Sequence, residues 1–311
     1  QVEVPASYQV DGNTVSFELG SYDAGVPLVI DPVALKWATL LGGAGEMLIY
    51  SDIYYDNAAG LMYLTGSERE AYPSDNILNG QTAVANPDYA FVMCLRDDGS
   101  EVLWKTQVRQ RSGTDVQYVD PAGTGIEVDA EGNVYVIVAT SSTNVKADFM
   151  GSPNPEVDGV IMTSQEGLNR PRALLKLSPN GDTLKYFTYL QGPHGNKLNG
   201  AAVTEELYDP MIIDNDGNVV IARAFFRSND EAADYTDPVF ANFRTNTNVF
   251  GGELPQKSRF FTVVNTIDTR VPGEAGLLKT QFIDIVGITG MKRDAKGDIY
   301  MVGTASPYRD P

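Results

Sequence analysis

The feature that most constrains this chain is a turn that recurs along it. Asp129-Ala130-Glu131-Gly132-Asn133 runs into the apolar Val134-Tyr135-Val136-Ile137-Val138. Asp214-Asn215-Asp216-Gly217-Asn218 runs into Val219-Val220-Ile221-Ala222. Asp294-Ala295-Lys296-Gly297-Asp298 runs into Ile299-Tyr300-Met301-Val302-Gly303. A looser copy, Asp56-Asn57-Ala58-Ala59-Gly60, leads into Leu61-Met62-Tyr63-Leu64-Thr65-Gly66. In such turns Gly takes the position with positive φ, while Asp or Asn bonds the backbone beside it. Each copy therefore predicts a β-hairpin, and their spacing predicts a repeat.

Two further elements keep step with the turn. One is a strand centred on Thr39, Thr106, Thr188 and Thr280, as in Trp104-Lys105-Thr106-Gln107-Val108. The other is an apolar strand such as Tyr89-Ala90-Phe91-Val92-Met93-Cys94-Leu95, with counterparts at Arg172–Leu177 and Arg259–Val264. Fixed elements with unequal spacers mark a repeat architecture with loop insertions. Laid out as Thr-centred strand, strand into the turn, strand out and Phe91-type strand, each unit has four antiparallel strands. The expected fold is all-β: a β-propeller of four-stranded blades with long loop insertions. Expected blades run over about 35–103, 104–184, 185–277 and, in part, 278–311. The spacers Ser67–Asp88, Ser141–Pro171 and Ala224–Ser258 occupy equivalent places, so they should share one face.

Residues 1–33 read as the C-terminal part of a preceding β-rich domain, contributing a short hairpin ahead of the propeller at 34–311. Thr14–Leu19 alternates, with Val15, Phe17 and Leu19 on one side, the pattern of a half-buried strand. Pro27–Ile30 reads as a further strand, broken by Asp31-Pro32. The chain begins within a hairpin and ends within a repeat, so it is read as a fragment of a larger secreted protein.

The stretches Pro5–Pro32 and Leu35–Glu46 resemble the lead-in to the propeller of SBBP (β-propeller) repeat proteins. Their blades look like A-V-D-x-x-G-N-x-Y-V-x-G, then D-A-F-V-x-K-L, then Y-S-T-Y-L-G-G. The matching residues are Glu127–Val136, Asp88–Leu95 and Lys185–Gly192. The chain departs from the pattern where Gly42-Gly43 is not repeated after Val108 or Phe282. The resemblance implies a bacterial secreted or cell-surface protein, of a kind often exported across the outer membrane. It implies no single catalytic activity.

Chemistry is sparser. Lys plus Arg number 23 and Asp plus Glu 41, a net charge of −18, which argues against nucleic acid as a partner and suits a salty exterior. No apolar run is long enough for a membrane helix. Cys94 is the one cysteine and reads as a buried structural thiol. His194 is the one histidine, read as an exposed loop residue without the neighbours of a triad. Asp214, Asp216 and Asn218 offer oxygens at alternate positions around Gly217, a pattern open to calcium, although the sibling turns fit a hairpin as well. Tyr72, Phe149, Phe225, Phe226, Tyr235, Phe240, Phe243 and Phe250 fall in the spacers and are candidate interaction residues.

With no catalytic constellation, the chain reads as a non-catalytic extracellular module, structural or adhesive. Its expected partners are other surface proteins or glycans, within a larger assembly. The alternatives are a polysaccharide-acting enzyme and a calcium-assisted glycan-binding propeller.

Overall fold

The computed structural model describes residues 4–11, 14–28, 38, 48–69, 76–77, 88–108, 122–139, 157–158, 172–190, 209–226, 247–249, 260–283 and 286–304. The chain divides into two compact units, 1–38 and 39–311. In the first, β1 (Ala6–Asp11) and β2 (Thr14–Leu19) form an antiparallel hairpin. Its alternation does not bury the expected face, because Phe17 is 41% exposed. Pro27 and Leu28 are outside any strand, and 29–37 lie outside the described residues.

The second unit is all-β, built from antiparallel sheets. The first sheet takes β3 (Leu48–Asp56), β4 (Leu61–Arg69), β6 (Asp88–Arg96) and β7 (Val102–Val108) as an up-and-down ladder, with the short β5 (Asn76–Ile77) along β7. The second repeats this with β8 (Ala122–Val128), β9 (Val134–Ala139), β11 (Arg172–Leu177) and β12 (Leu184–Tyr189), and β10 (Val157–Asp158) along β12. The third uses β13 (Met211–Ile213), β14 (Val219–Phe226), β16 (Phe260–Ile267) and β17 (Leu277–Ile283), with β15 (Thr247–Val249) along β17. A two-stranded sheet of β18 (Val286–Arg293) and β19 (Ile299–Thr304) follows. This series of four-stranded antiparallel ladders is consistent with a propeller-like fold.

The Thr-centred strand closes each ladder rather than opening the next. The ladders thus run over 48–108, 122–190 and 211–283, one strand out of step with the expected grouping. The cause is the tight turn 97–101: Arg96 N donates to the Glu101 carbonyl at 3.0 Å, and a turn that short joins strands that pair. The short strands β5, β10 and β15 come from the long spacers and pair parallel to the closing strand, as in Asn76↔Thr106 and Thr247↔Thr280. Each covers an outer edge that would otherwise expose unpaired backbone groups.

Alternate residues of one strand serve two interfaces. Val134, Val136 and Val138 pack with Tyr63, Val92, Cys94 and Trp104 of the first sheet. Tyr135 and Ile137 pack with Met211, Val219 and Ile221 of the third. Burial on both faces is why the runs after Gly132 and Gly217 are continuously apolar instead of alternating. Val220 and Ala222 in turn meet Ile288 and Met291 of β18. Burying side chains of this size stabilises by about 1.5–3 kcal/mol each, and the ladders are held face to face by that term.

Close approach also fixes the inner strand β8. A Cβ at Gly123 would overlap Thr65 Oγ1, and one at Gly125 would overlap the Asp209 carbonyl oxygen. Only hydrogen side chains let β8 pass between the first sheet and the lead-in to the third.

Candidate functional site

An up-and-down ladder sends its connections to two ends. At one end lie the recurring hairpin turns and the tight turns between third and fourth strands. At the other lie the departures of 70–87, 140–171 and 227–259, with the sheet-to-sheet links 109–121 and 191–208. At the turn end each leading Asp satisfies amides of its own turn. Asp129 Oδ1 accepts from the amides of Glu131 (3.1 Å) and Asn133 (2.7 Å), and Gly132 sits at φ +83°. Asp214 Oδ1 accepts from the amides of Asp216 (2.9 Å) and Asn218 (2.8 Å), with Gly217 at φ +78°. Asp294 repeats the pattern with Lys296 and Asp298, both at 2.9 Å.

The insertion end is rooted in buried charge. Lys105 Nζ donates to Glu68 Oε2, and Gln107 Nε2 donates to Glu68 Oε1 at 2.6 Å; all three residues are buried. The Lys105 ammonium also lies 5.7 Å from the centre of the Phe91 ring. Between the second and third sheets, Arg172 Nε donates to Asp209 Oδ2 at 2.6 Å, and Thr124 Oγ1 donates to the same oxygen. The Asp209 amide donates to the Thr124 carbonyl at 2.8 Å. Arg223 Nε lies 4.0 Å from Asp209 Oδ1. Burial lowers the Arg223 guanidinium to about 10, with Asp209 opposing and Arg172 adding to that shift, so it stays charged at neutral pH. Buried charges persist only when paired and hydrogen-bonded, so these groups fix where the spacers leave and re-enter.

A second polar cluster lies on the first strands of the ladders. Asp52 Oδ2 of β3 accepts from the Ile126 amide of β8 at 2.9 Å, beside Glu127. Burial pushes the Glu127 carboxyl up to about 8; Lys292 of β18 works against the shift and Asp52 adds to it. Burial also raises Asp52, against the amides of Ile126 and Ile53 and the charge of Lys292. Burial raises the Tyr54 phenol, with Glu127 and Asp56 adding and Arg293 opposing. Two ladders and the two-stranded sheet thus bring three carboxyls, a phenol and two cations into one electrostatic group. A carboxyl that holds its proton at neutral pH can donate a hydrogen bond or a proton.

Asp214, Asp216 and Asn218 come together as a hairpin. Asn218 Nδ2 donates to Asp214 Oδ2 at 3.0 Å, Arg270 Nη2 donates to Asn218 Oδ1 at 3.1 Å, and Asp216 is exposed. Among the described residues no group of three or more His, Cys, Asp or Glu is placed to hold a metal. Phe225 and Phe226 are not in a loop. They close β14 and pair in register with Phe261 and Phe260, because the strand runs on past Ala224. Tyr72, Phe149, Tyr235, Phe240, Phe243, Phe250 and His194 lie outside the described residues. Cys94 is buried, and burial pushes its thiol to about 11, with a hydrogen bond from Tyr63 opposing. Among the described residues no helix is long and apolar enough to cross a membrane.

Sequence reasoning passed over Asp52, Glu68, Lys105, Glu127, Arg172, Asp209 and Arg223. The available signal was a lone charge inside a β run, as in Trp104-Lys105-Thr106 or Ala222-Arg223-Ala224, since such residues are seldom buried without a partner.

A family model described as Domain of unknown function (DUF7948) matches residues 1–33. That match does not extend to the repeats, and their likeness to SBBP proteins remains a resemblance. No curated protein matches the chain. A solved structure of a luciferin-regenerating enzyme is similar at 11% identity, covering 84% of this chain and 85% of its own, with a TM-score of 0.25. At that score the likeness assigns neither a fold nor a reaction. One expectation is corrected on other grounds: the sequence reads as non-catalytic for want of a catalytic group, and the raised carboxyl of Glu127 is a group of that kind. That expectation is not kept.

Proposed function

We propose that this chain is an extracellular, cell-surface adhesive module of propeller-like fold that binds a glycan or another surface protein at its insertion end. The observation that carries this reading is the asymmetry of the ladders. All three long spacers leave and return at one end, while the other end is closed by short turns whose leading Asp bonds its own turn's amides. Unequal loops on a rigid scaffold are where binding residues concentrate. The spacers at that end hold Tyr72, Phe149, Tyr235, Phe240, Phe243 and Phe250, side chains suited to stacking on sugars or anchoring a protein contact. The acidity and the SBBP resemblance support a place outside the cell. The test is a glycan array and a panel of immobilised surface proteins, run with and without chelator. Retention that is lost in a Tyr235→Ala/Phe240→Ala/Phe243→Ala variant supports the reading. A wild-type chain that retains none of the probes overturns it.

One observation favours a second reading, an enzyme acting on polysaccharide. Glu127, raised to about 8 beside Asp52 and Lys292, has the protonation needed of a general acid at neutral pH. Turnover of a polysaccharide that Glu127→Gln abolishes would establish it.

A further inference from the structure

A lysine and a glutamate meet inside the first ladder, shut away from solvent. Glu68 of β4 is 2% exposed and Lys105 of β7 is 1% exposed. Lys105 Nζ donates to Glu68 Oε2. A nitrogen bonded in this way to a carboxyl oxygen stands at the separation from which it can attack the carboxyl carbon. Gln107, also buried, donates from Nε2 to the other oxygen, Oε1, at 2.6 Å. The buried Phe91 ring lies 5.7 Å from Nζ. An amine, a carboxyl and a donor on the second carboxyl oxygen are the parts of an amide-forming centre.

Two other pairs lack one of these parts. Arg172 offers Asp209 a guanidinium, which keeps its proton and is no nucleophile. Lys176 meets Asp129, but the amides of its own turn hold Asp129 as a carboxylate, and the Lys176 side chain is 15% exposed.

The geometry points to a covalent amide between Lys105 Nζ and Glu68 Cδ, made by the folded chain itself. Away from water a neutral amine and acid are favoured over two charges, so a proton passes from Nζ to Oε2. Nζ then bonds to Cδ, and Gln107 Nε2 steadies the charge that gathers on Oε1. Oε2 leaves as water with two of the three ammonium protons, and the third stays on the amide nitrogen. Ammonium plus carboxylate gives amide plus water, with no oxidant, cofactor or activating group. Such placement is worth an effective concentration of about 10⁵–10⁸ M, and closure removes two buried charges that are costly to keep. The ion pair is the state before closure.

The amide ties β4 to β7 across β6, which lies between them. It closes a ring over residues 68–105 that contains the spacer 70–87, in a chain whose one cysteine rules out an internal disulfide. It does not depend on what the insertion end binds.

Intact-mass spectrometry of the purified, denatured 311-residue chain tests the inference. The expected mass is that of the sequence less one water. Trypsin should then release 37–69 and 97–109 as one branched product, uncut after Lys105. Lys105→Arg keeps the charge but has no primary amine, and should show the full mass of its sequence. Lys105→Met takes its place if that variant fails to fold. A wild type of full mass overturns the inference. So does a Lys105→Arg chain that still lacks the water, as a cyclised Asp-Gly turn would give, or a loss of water mapped to any other residue.

Discussion

The two ends of the ladders solve the same problem by different means. At the turn end, each Asp satisfies amides within its own few residues. At the insertion end, the groups that fix the strands are far apart in sequence: Glu68 meets Lys105, Thr124 meets Asp209, and Arg172 meets Asp209. Local satisfaction makes a turn interchangeable with its siblings. Long-range satisfaction makes each root particular to its ladder. The difference teaches where change is tolerated: a turn can be damaged one at a time, whereas a root, once broken, leaves a buried charge behind.

The sharpest way to break the contrast is at a root. Glu68→Gln leaves Lys105 buried without its counter-ion and should cost about 3–5 kcal/mol. Glu68→Leu/Lys105→Met should recover most of that, since replacing both partners removes the stranded charge. Urea denaturation of both proteins decides it; equal losses would mean that the pair does not act as a unit.

A smaller effect, set by pH, is expected on the first strands. The Glu127 carboxyl is raised in the folded chain from an ordinary 4.5 to about 8. Its contribution is then fully present below about 4.5 and is lost as pH rises through about 8, because only the folded state holds the proton across that window. Glu127→Gln should remove this part of the pH dependence and be more stable than wild type at pH 8, by a few kcal/mol at most. Melting temperatures of both proteins between pH 5 and pH 9 would show the curves diverging; parallel curves would refute the shift.

At the turn end the losses should be lower still. Asp129 is the most engaged of the turn carboxylates, accepting also from Lys176 Nζ at 3.0 Å. Burial acts to raise it, but hydrogen bonds from Asn133 and Lys176 prevail and hold it below the usual range. Its stabilisation is therefore present above the ordinary carboxylate range and fades as pH falls. Asp129→Ala should cost about 1–3 kcal/mol at neutral pH and less in acid, read by chemical denaturation at both. Asp216→Ala, on the exposed rim of its turn, should change stability by less than about 0.5 kcal/mol. A larger loss there would mean that Asp216 does more than decorate a hairpin.

What was legible in the sequence follows the same division. The turns at Asp129, Asp214 and Asp294 could be read because an Asp and a Gly a few residues apart carry their own geometry. The Thr-centred strand could be seen but was grouped with the wrong neighbours. The corrective signal was present: the tight turn after Arg96 ties Val102–Val108 backward to Asp88–Arg96. The roots could not be derived, since nothing near Glu68 announces a lysine in β7. Nor could β5, β10 and β15, whose two or three residues become strands only because a closing strand offers an edge. Phe225 and Phe226 show the converse error, aromatics assigned to a loop because the spacer was taken to begin too early.

Those short strands have one more consequence. Each pins its spacer at an internal point, dividing it into two arms: 70–75 and 78–87, 140–156 and 159–171, 227–246 and 250–259. The entropy of closing a loop grows only with the logarithm of its length, so an arm can be lengthened at little cost while its two anchor points stay in place. A foreign peptide inserted into 227–246 would be held at Phe226 on one side and Thr247 on the other. The molecule is thus a natural frame for display, in which content between the anchors can change without disturbing the strands that carry them.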